Sequence, residues 1–208
     1  PPSIDTTGAD FIIINASWYD AITPDVTVSD SIGPDSNTYL PLTKQAASGN
    51  AANQLFYCAN PTITGAMHAF AGGGVSTFFT MQVLVFSCGG ATVSFDAENG
   101  ATNASASTLA TGSVSPSQDN ELIICGLSNQ STTGDSDTIN GTGFTPLQVP
   151  FAGASNFDGA IAWKIQTTAG AENRTWTAGS TGPIAVTAAC FKFAAGASGK
   201  PVYAYAQQ

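Results

Sequence analysis

The apolar positions of this chain come in short runs, and between almost every pair of runs stands Gly, Pro, Asn or Asp. The runs are rich in β-branched and aromatic side chains, which suit a pleated surface, and the residues between them suit tight turns. This pattern predicts a first set of strands at residues 11–18, 37–43, 54–58, 67–70 and 78–87, and a second at 122–127, 143–149, 159–166, 175–178 and 184–193. Residues 91–112, rich in Ser, Ala and Asn, read as a connection with room for one short helix.

The two sets echo each other. Ala9-Asp10-Phe11-Ile12-Ile13-Ile14 is matched by Asn120-Glu121-Leu122-Ile123-Ile124-Cys125, and Tyr39-Leu40-Pro41-Leu42 by Phe144-Thr145-Pro146-Leu147. Leu55-Phe56-Tyr57 then aligns with Ile161-Ala162-Trp163, Phe70 with Trp176, and Val83-Leu84-Val85-Phe86 with Ala188-Ala189-Cys190-Phe191. A nearly constant offset through five matches reads as two halves of one duplicated β unit. The expected organisation is a single β-sandwich over residues 1–195, with one repeat at about residues 4–90, a connection at 91–112 and a second repeat at about 113–195. Residues 196–208 follow as a linker and docking strand.

Composition narrows the function classes. Only 9% of the 208 residues are charged, so the surface is built mainly from Ser, Thr, Asn, Gln, Gly and Ala. Five scattered Lys and Arg residues against fourteen acids leave a net charge of -9, which repels phosphate backbones and argues against nucleic-acid binding. No apolar run approaches the roughly 18 residues of a membrane-spanning helix, so no membrane insertion is expected.

A family resemblance rests on Val28-Ser29-Asp30-Ser31-Ile32-Gly33 leading to Thr38-Tyr39, on Tyr57-Cys58-Ala59-Asn60-Pro61 with Gly65, on Phe86-Ser87, and on Phe95-Asp96-Ala97-Glu98-Asn99-Gly100. These resemble jelly-roll sandwiches of the concanavalin-like, laminin-G-like type, found in secreted bacterial proteins and in phage tail and fibre proteins. The resemblance implies an all-β fold, an antiparallel jelly-roll-like β-sandwich, here built from two internally duplicated halves. Such modules share no catalytic set.

An even number of cysteines in a low-charge chain points to disulfides and an extracellular setting. The repeat alignment puts Cys125 and Cys190 on the first and last strands of the second repeat, and Cys58 and Cys88 within the first. The favoured pairing is therefore Cys58–Cys88 with Cys125–Cys190, each worth roughly 3 to 4.5 kcal/mol in the chain-entropy model. The alternative is four buried free thiols acting as small hydrophobes.

Catalytic signatures are sparse. His68 is the sole histidine, set on an apolar strand, and no Gly-x-Ser-x-Gly elbow accompanies it. Asp96 and Glu98 would share a face of a strand, as paired carboxylates of a glycosidase do, although Asn99-Gly100 marks a turn and makes a capping role the plainer reading. Asp135, Asp137 and Asn140 could supply hard oxygens to calcium; otherwise no cofactor is expected, and turn chemistry again competes. Trp18 and Tyr19 are candidate glycan contacts, with core packing the alternative. Five Asn-x-Ser/Thr sequons begin at Asn15, Asn103, Asn129, Asn140 and Asn173.

The C-terminal tail alternates Val202, Ala204 and Ala206 with Tyr203 and Tyr205, the pattern of an extended strand able to add to a sheet edge. Val202, Tyr203 and Tyr205 are the candidate assembly residues, and the edge belongs either to the same chain or to a neighbour. The sequence reading is a non-enzymatic structural or assembly subunit of an extracellular filament, cell surface or virion, which self-associates or meets neighbouring subunits. A glycan-binding, lectin-like module with or without calcium is the alternative, and a glycoside hydrolase a distant third.

Overall fold

In the computed structural model, residues 3–19, 25–31, 37–48, 51–74, 78–130, 137–150, 157–194 and 200–207 are described, and no helix occurs among them. The strands in chain order are β1 (Ser3–Asp5), β2 (Phe11–Trp18), β3 (Thr27–Asp30), β4 (Leu40–Pro41), β5 (Gln45–Ala47), β6 (Ala51–Ala59), β7 (Met67–Gly73) and β8 (Phe79–Ser87). They continue as β9 (Val93–Val114), β10 (Glu121–Asn129), β11 (Thr138–Ile139), β12 (Thr145–Pro150), β13 (Asp158–Gln166), β14 (Glu172–Phe193) and β15 (Lys200–Gln207). The fold is all-β and antiparallel throughout its pairings, a sandwich of stacked sheets.

One large sheet has the order β15-β8-β2-β6-β4, with β5 also on β6. The other has the order β11-β14-β10-β13-β12, with β9 also on β14. A third, small sheet has the order β1-β7-β3. The central strands are apolar on both sides because both sides are covered. From β2, Phe11 and Ile13 point to the second large sheet, while Ile12, Ile14, Ala16 and Trp18 point to the small one.

Three apolar clusters result. The first joins Ile12, Ile14, Trp18, Val83 and Val85 to Phe70 of the small sheet. The second lies between the large sheets, where Phe11, Ile13, Leu84 and Phe86 meet Leu122, Ile124 and Phe191. Its centre is an aromatic contact, with the Phe11 and Phe191 ring centroids 4.8 Å apart. The third puts Ile123, Leu127, Val186 and Cys190 against Trp176, which lies in the first part of β14.

The large sheets are wired alike. β2 lies between β6 and β8, and β10 between β13 and β14. The outer neighbours are exchanged: β9 follows β8 in the chain yet pairs with β14, and β15 follows β14 yet pairs with β8. Even an irregularity recurs. Asp96 is skipped between the pairs Phe95↔Phe191 and Ala97↔Cys190, and Val202 between Pro201↔Phe86 and Tyr203↔Val85.

One expectation is corrected by this ladder. Residues 91–112, read as a connection with a possible helix, fall mostly within β9, a strand of 22 residues. Ala, Ser and Asn carry little strand preference of their own, but Ala97, Ala101 and Leu109 pack on the third cluster and the backbone is paired along β14. Tertiary pairing overrides local propensity here.

Candidate functional site

The β9 bulge releases Asp96 from the ladder, and its carboxylate lies beside Glu121 at the start of β10 and Cys190 on β14. The nearest ligand atoms of these three residues lie within 4.8 Å of one another, a closeness found for no other such group among the described residues. Lys192 Nζ stands 2.6 Å from Asp96 Oδ1, while the Ser117 amide donates to Oδ2 at 2.8 Å. Glu121 is buried; its Oε1 accepts the Gln118 N–H at 2.9 Å, and Oε2 has no hydrogen-bond partner among the described residues.

Two carboxylates and one ammonium leave one negative charge uncompensated. Burial and the neighbouring Asp96 raise the Glu121 carboxyl above its ordinary value, despite the Gln118 amide. Burial acts on Asp96 in the same direction but is outweighed by hydrogen bonds from Lys192 and Ser117, which hold it below the usual range. The same surroundings thus favour the ionised form of Asp96 and make ionisation of Glu121 harder. Glu98, expected to share this face, instead accepts from the Thr43 amide at 2.9 Å and the Thr43 hydroxyl at 2.8 Å.

Other polar groups serve packing. His68 is buried and bonded to Thr6 Oγ1. Glu172 is paired with both Lys164 and Arg174, whose cationic ends lie 5.1 and 5.7 Å from the Phe144 ring centroid. Between the large sheets, where the apolar cluster ends, Asn15 Nδ2 donates to Gln82 Oε1 at 2.6 Å and to Ala160 O at 3.0 Å. Asn53 Nδ2 donates to Asn15 Oδ1 at 2.7 Å, Ser17 Oγ to Leu127 O at 2.9 Å, and Thr187 Oγ1 to Asn53 Oδ1 at 2.6 Å. Asn15 is thus a buried structural amide and not an accessible sequon.

Several sequence expectations are corrected. All four cysteines are buried free thiols, so neither Cys58–Cys88 nor Cys125–Cys190 is formed. Cys58 on β6 and Cys88 beyond β8 lie on opposite sides of β2, two strand spacings apart and staggered along the strands, so more than roughly 10 Å separates them, and they enter different clusters. Cys125 faces Ala188 while Cys190 faces Ile123, a diagonal relation of about 7–8 Å, beyond ordinary disulfide reach. Burial pushes the thiols up, to about 11 for Cys58 and Cys88 and about 12 for Cys125 and Cys190. Trp18 is fully buried and cannot stack on a glycan. Tyr19 is half-buried, its ring edge-on to Phe78 at 5.8 Å.

Of the calcium candidates, Asp135 lies outside the described residues. Asp137 is buried, with Asn129 Nδ2 at 3.0 and 3.1 Å from its two oxygens, and Asn140 Oδ1 accepts the Thr175 amide at 2.8 Å. Both are engaged by the protein itself. In the tail, the backbone of Tyr203 lies opposite Val85, that of Tyr205 opposite Val83, and Val202 is the bulged residue.

A cavity of about 360 Å³ opens between β3 and the β4–β6 edge, lined by Val26, Thr27, Thr38, Tyr39, Gln54 and Phe56 among others. Sequence reading missed both this cavity and Glu121. Neither carries a motif, and the cavity joins residues from three separate segments. No protein-family model matches the chain, and no curated protein or solved structure matches it significantly.

Proposed function

We propose that the chain is a non-enzymatic structural subunit of an extracellular assembly, a filament, cell-surface layer or virion component. The observation that carries this reading is the exchange of outer strands, in which each large sheet is completed by a strand that follows the other sheet's last strand in the chain. β15 reaches its seat on β8 only through residues 195–199, so the same seat can take β15 from a second copy. One donor strand and one acceptor edge per chain make a heterologous joint, which propagates unless its rotation closes a ring.

The acids support a scaffold role, because they tie turns and strands together. Asp10 Oδ2 accepts from the Cys88 amide at 2.6 Å and the Gly90 amide at 3.1 Å, and Asp119 from the Ala169 amide at 2.7 Å. A chain with few Lys and Arg residues also offers few sites to trypsin-like proteases.

The test uses Ser87→Cys with Lys200→Cys, residues opposite each other in the ladder. In concentrated full-length protein, oxidation should give ladders of linked chains and particles visible under negative stain, and deletion of residues 200–208 should remove the particles. Crosslinks confined to single chains at every concentration, with no particles, would overturn the proposal.

A further inference from the structure

We infer that Lys192 and Asp96 condense into an intramolecular amide, with Glu121 as the proton donor, so that β9 and β14 become covalently joined. This modification is separate from the assembly role, which rests on β15. Its basis is placement. The bulge in β9 skips Asp96 between the pairs Phe95↔Phe191 and Ala97↔Cys190, while Lys192 stands in register opposite Ser94. Lys192 Nζ thereby lies 2.6 Å from Asp96 Oδ1. The electrophilic carbon, Asp96 Cγ, is one bond beyond that oxygen, so it is no more than about 4 Å from Nζ, a small rotation from the roughly 3–3.5 Å of a near-attack pair. Ser117 holds the carboxylate still, its amide donating to Oδ2 at 2.8 Å and its hydroxyl to Oδ1 at 3.1 Å.

An ion pair alone does not condense, and two others in the chain show the contrast. Lys44 meets Asp25 where the acid side chain is 80% exposed, so water solvates the charges. Lys164 meets Glu172, but Arg174 holds the same carboxylate, and a guanidinium keeps it ionised and unreactive. Beside Lys192 and Asp96 the third member is an acid. Glu121 is fully buried, and its Oε2 has no hydrogen-bond partner among the described residues, which leaves an oxygen free to carry a proton. Burial, with Asp96 nearby, raises its carboxyl above the ordinary value, so the proton is held more readily.

The step balances. The Lys192 ammonium gives one proton to Asp96, leaving an amine and a carboxylic acid. The Nζ lone pair forms the bond to Cγ, and the oxygen that receives the displaced π electrons takes the Glu121 proton. Glu121 recovers a proton from the nitrogen and passes it to the departing hydroxyl; the Cγ–O bond breaks and water leaves. The proton left on the carbonyl oxygen returns to Glu121, which ends unchanged. The hydrogen bond to Asp96 keeps Lys192 charged, so the step is slow. The ion-paired chain, whose acids set the pH dependence of stability, is its precursor.

Intact-mass spectrometry of the full chain, before and during prolonged incubation at neutral pH, reads the step directly. The wild type should lose the mass of one water, and peptide mapping should find the segments around Asp96 and Lys192 joined. Asp96→Asn offers a different leaving group and should lose ammonia instead. Lys192→Arg keeps a cation but no amine, and should keep its full mass. Glu121→Gln should slow the loss at least about a hundredfold. A wild-type chain that keeps its full mass overturns the proposal, whatever the variants do. So does a water loss that survives Lys192→Arg, which would be an internal succinimide. Neither outcome bears on strand exchange, which involves β15 and β8.

Discussion

Asp96 and Glu121 lie 25 positions apart in the sequence, yet a bulge in β9 turns the first toward the second, and together with Cys190 they form a cluster in which two carboxylates share one ammonium, that of Lys192. The bulge is what makes the pair possible. In an unbroken ladder Asp96 would stand opposite a residue of β14 like its neighbours; the extra residue re-aims it.

The pair makes stability depend on pH in two directions. Glu121 has a raised carboxyl in the folded chain, so its contribution is fully present below its unfolded pKa and is lost as pH rises through the folded value. Asp96 is depressed, so its contribution is present above its unfolded pKa and is lost as pH falls through the folded value. Glu121→Gln keeps an acceptor for the Gln118 amide and removes the titration. Its Tm should exceed that of the wild type by a few degrees at pH 8 and converge with it near pH 4. Equal melting curves across that range would show that Glu121 carries no strained charge.

The cysteines give a direct chemical check. With all four thiols buried and their pKa values pushed up, native protein should react slowly with Ellman's reagent at pH 8. Protein unfolded in guanidinium without any reductant should then release four equivalents. Two equivalents or none would restore one or both disulfides.

The central cluster should be the most sensitive part of the fold. Phe191 is fully buried and touches Phe11 across the two large sheets. Phe191→Ala should cost about 3–5 kcal/mol in chemical denaturation. A cost below 1 kcal/mol would mean that the large sheets are not held together there.

How far the fold could be read in advance depended on local signal. Residues 11–18 form β2 as expected, because a run of Phe and Ile bounded by Asp10 and the residues after Trp18 has no good alternative to a buried strand. β9 was missed because its Ala, Ser and Asn side chains say little alone; its strand character comes from β14, which lies far along the chain. The strand exchange was equally hidden, since each run of strands is legible along the chain while the partner of its last strand is set by three-dimensional packing. At the acid pair, Asp96 was legible as an acid on a strand, but Glu121 read only as the polar edge of the next run. Its pairing depends on a bulge that no residue type in β9 announces.

The polar end of the interface between the large sheets depends on two glycines. Gly126 and Gly159 let the sheets approach so closely that a methyl group at Gly126 would come within 2.7 Å of Asn53 Oδ1, and one at Gly159 would press on Thr80 Oγ1 and lie 2.8 Å from Ser17 Oγ. A side chain so placed forces the opposing strand or its rotamers to move, at about 1–3 kcal/mol. Gly159→Ala should therefore destabilise the chain by that amount. Thr80→Ala should cost less, because the Thr80 hydroxyl accepts only a long bond of 3.4 Å from Gln82 Nε2. The decisive measurement is the double variant. Removing the Thr80 hydroxyl makes room for the new methyl group, so the combined loss should fall short of the sum of the single losses by about 0.5–3 kcal/mol. The close approach of β13 to β8 predicts this coupling, and strictly additive losses would mean that the two strands are farther apart than the structure places them.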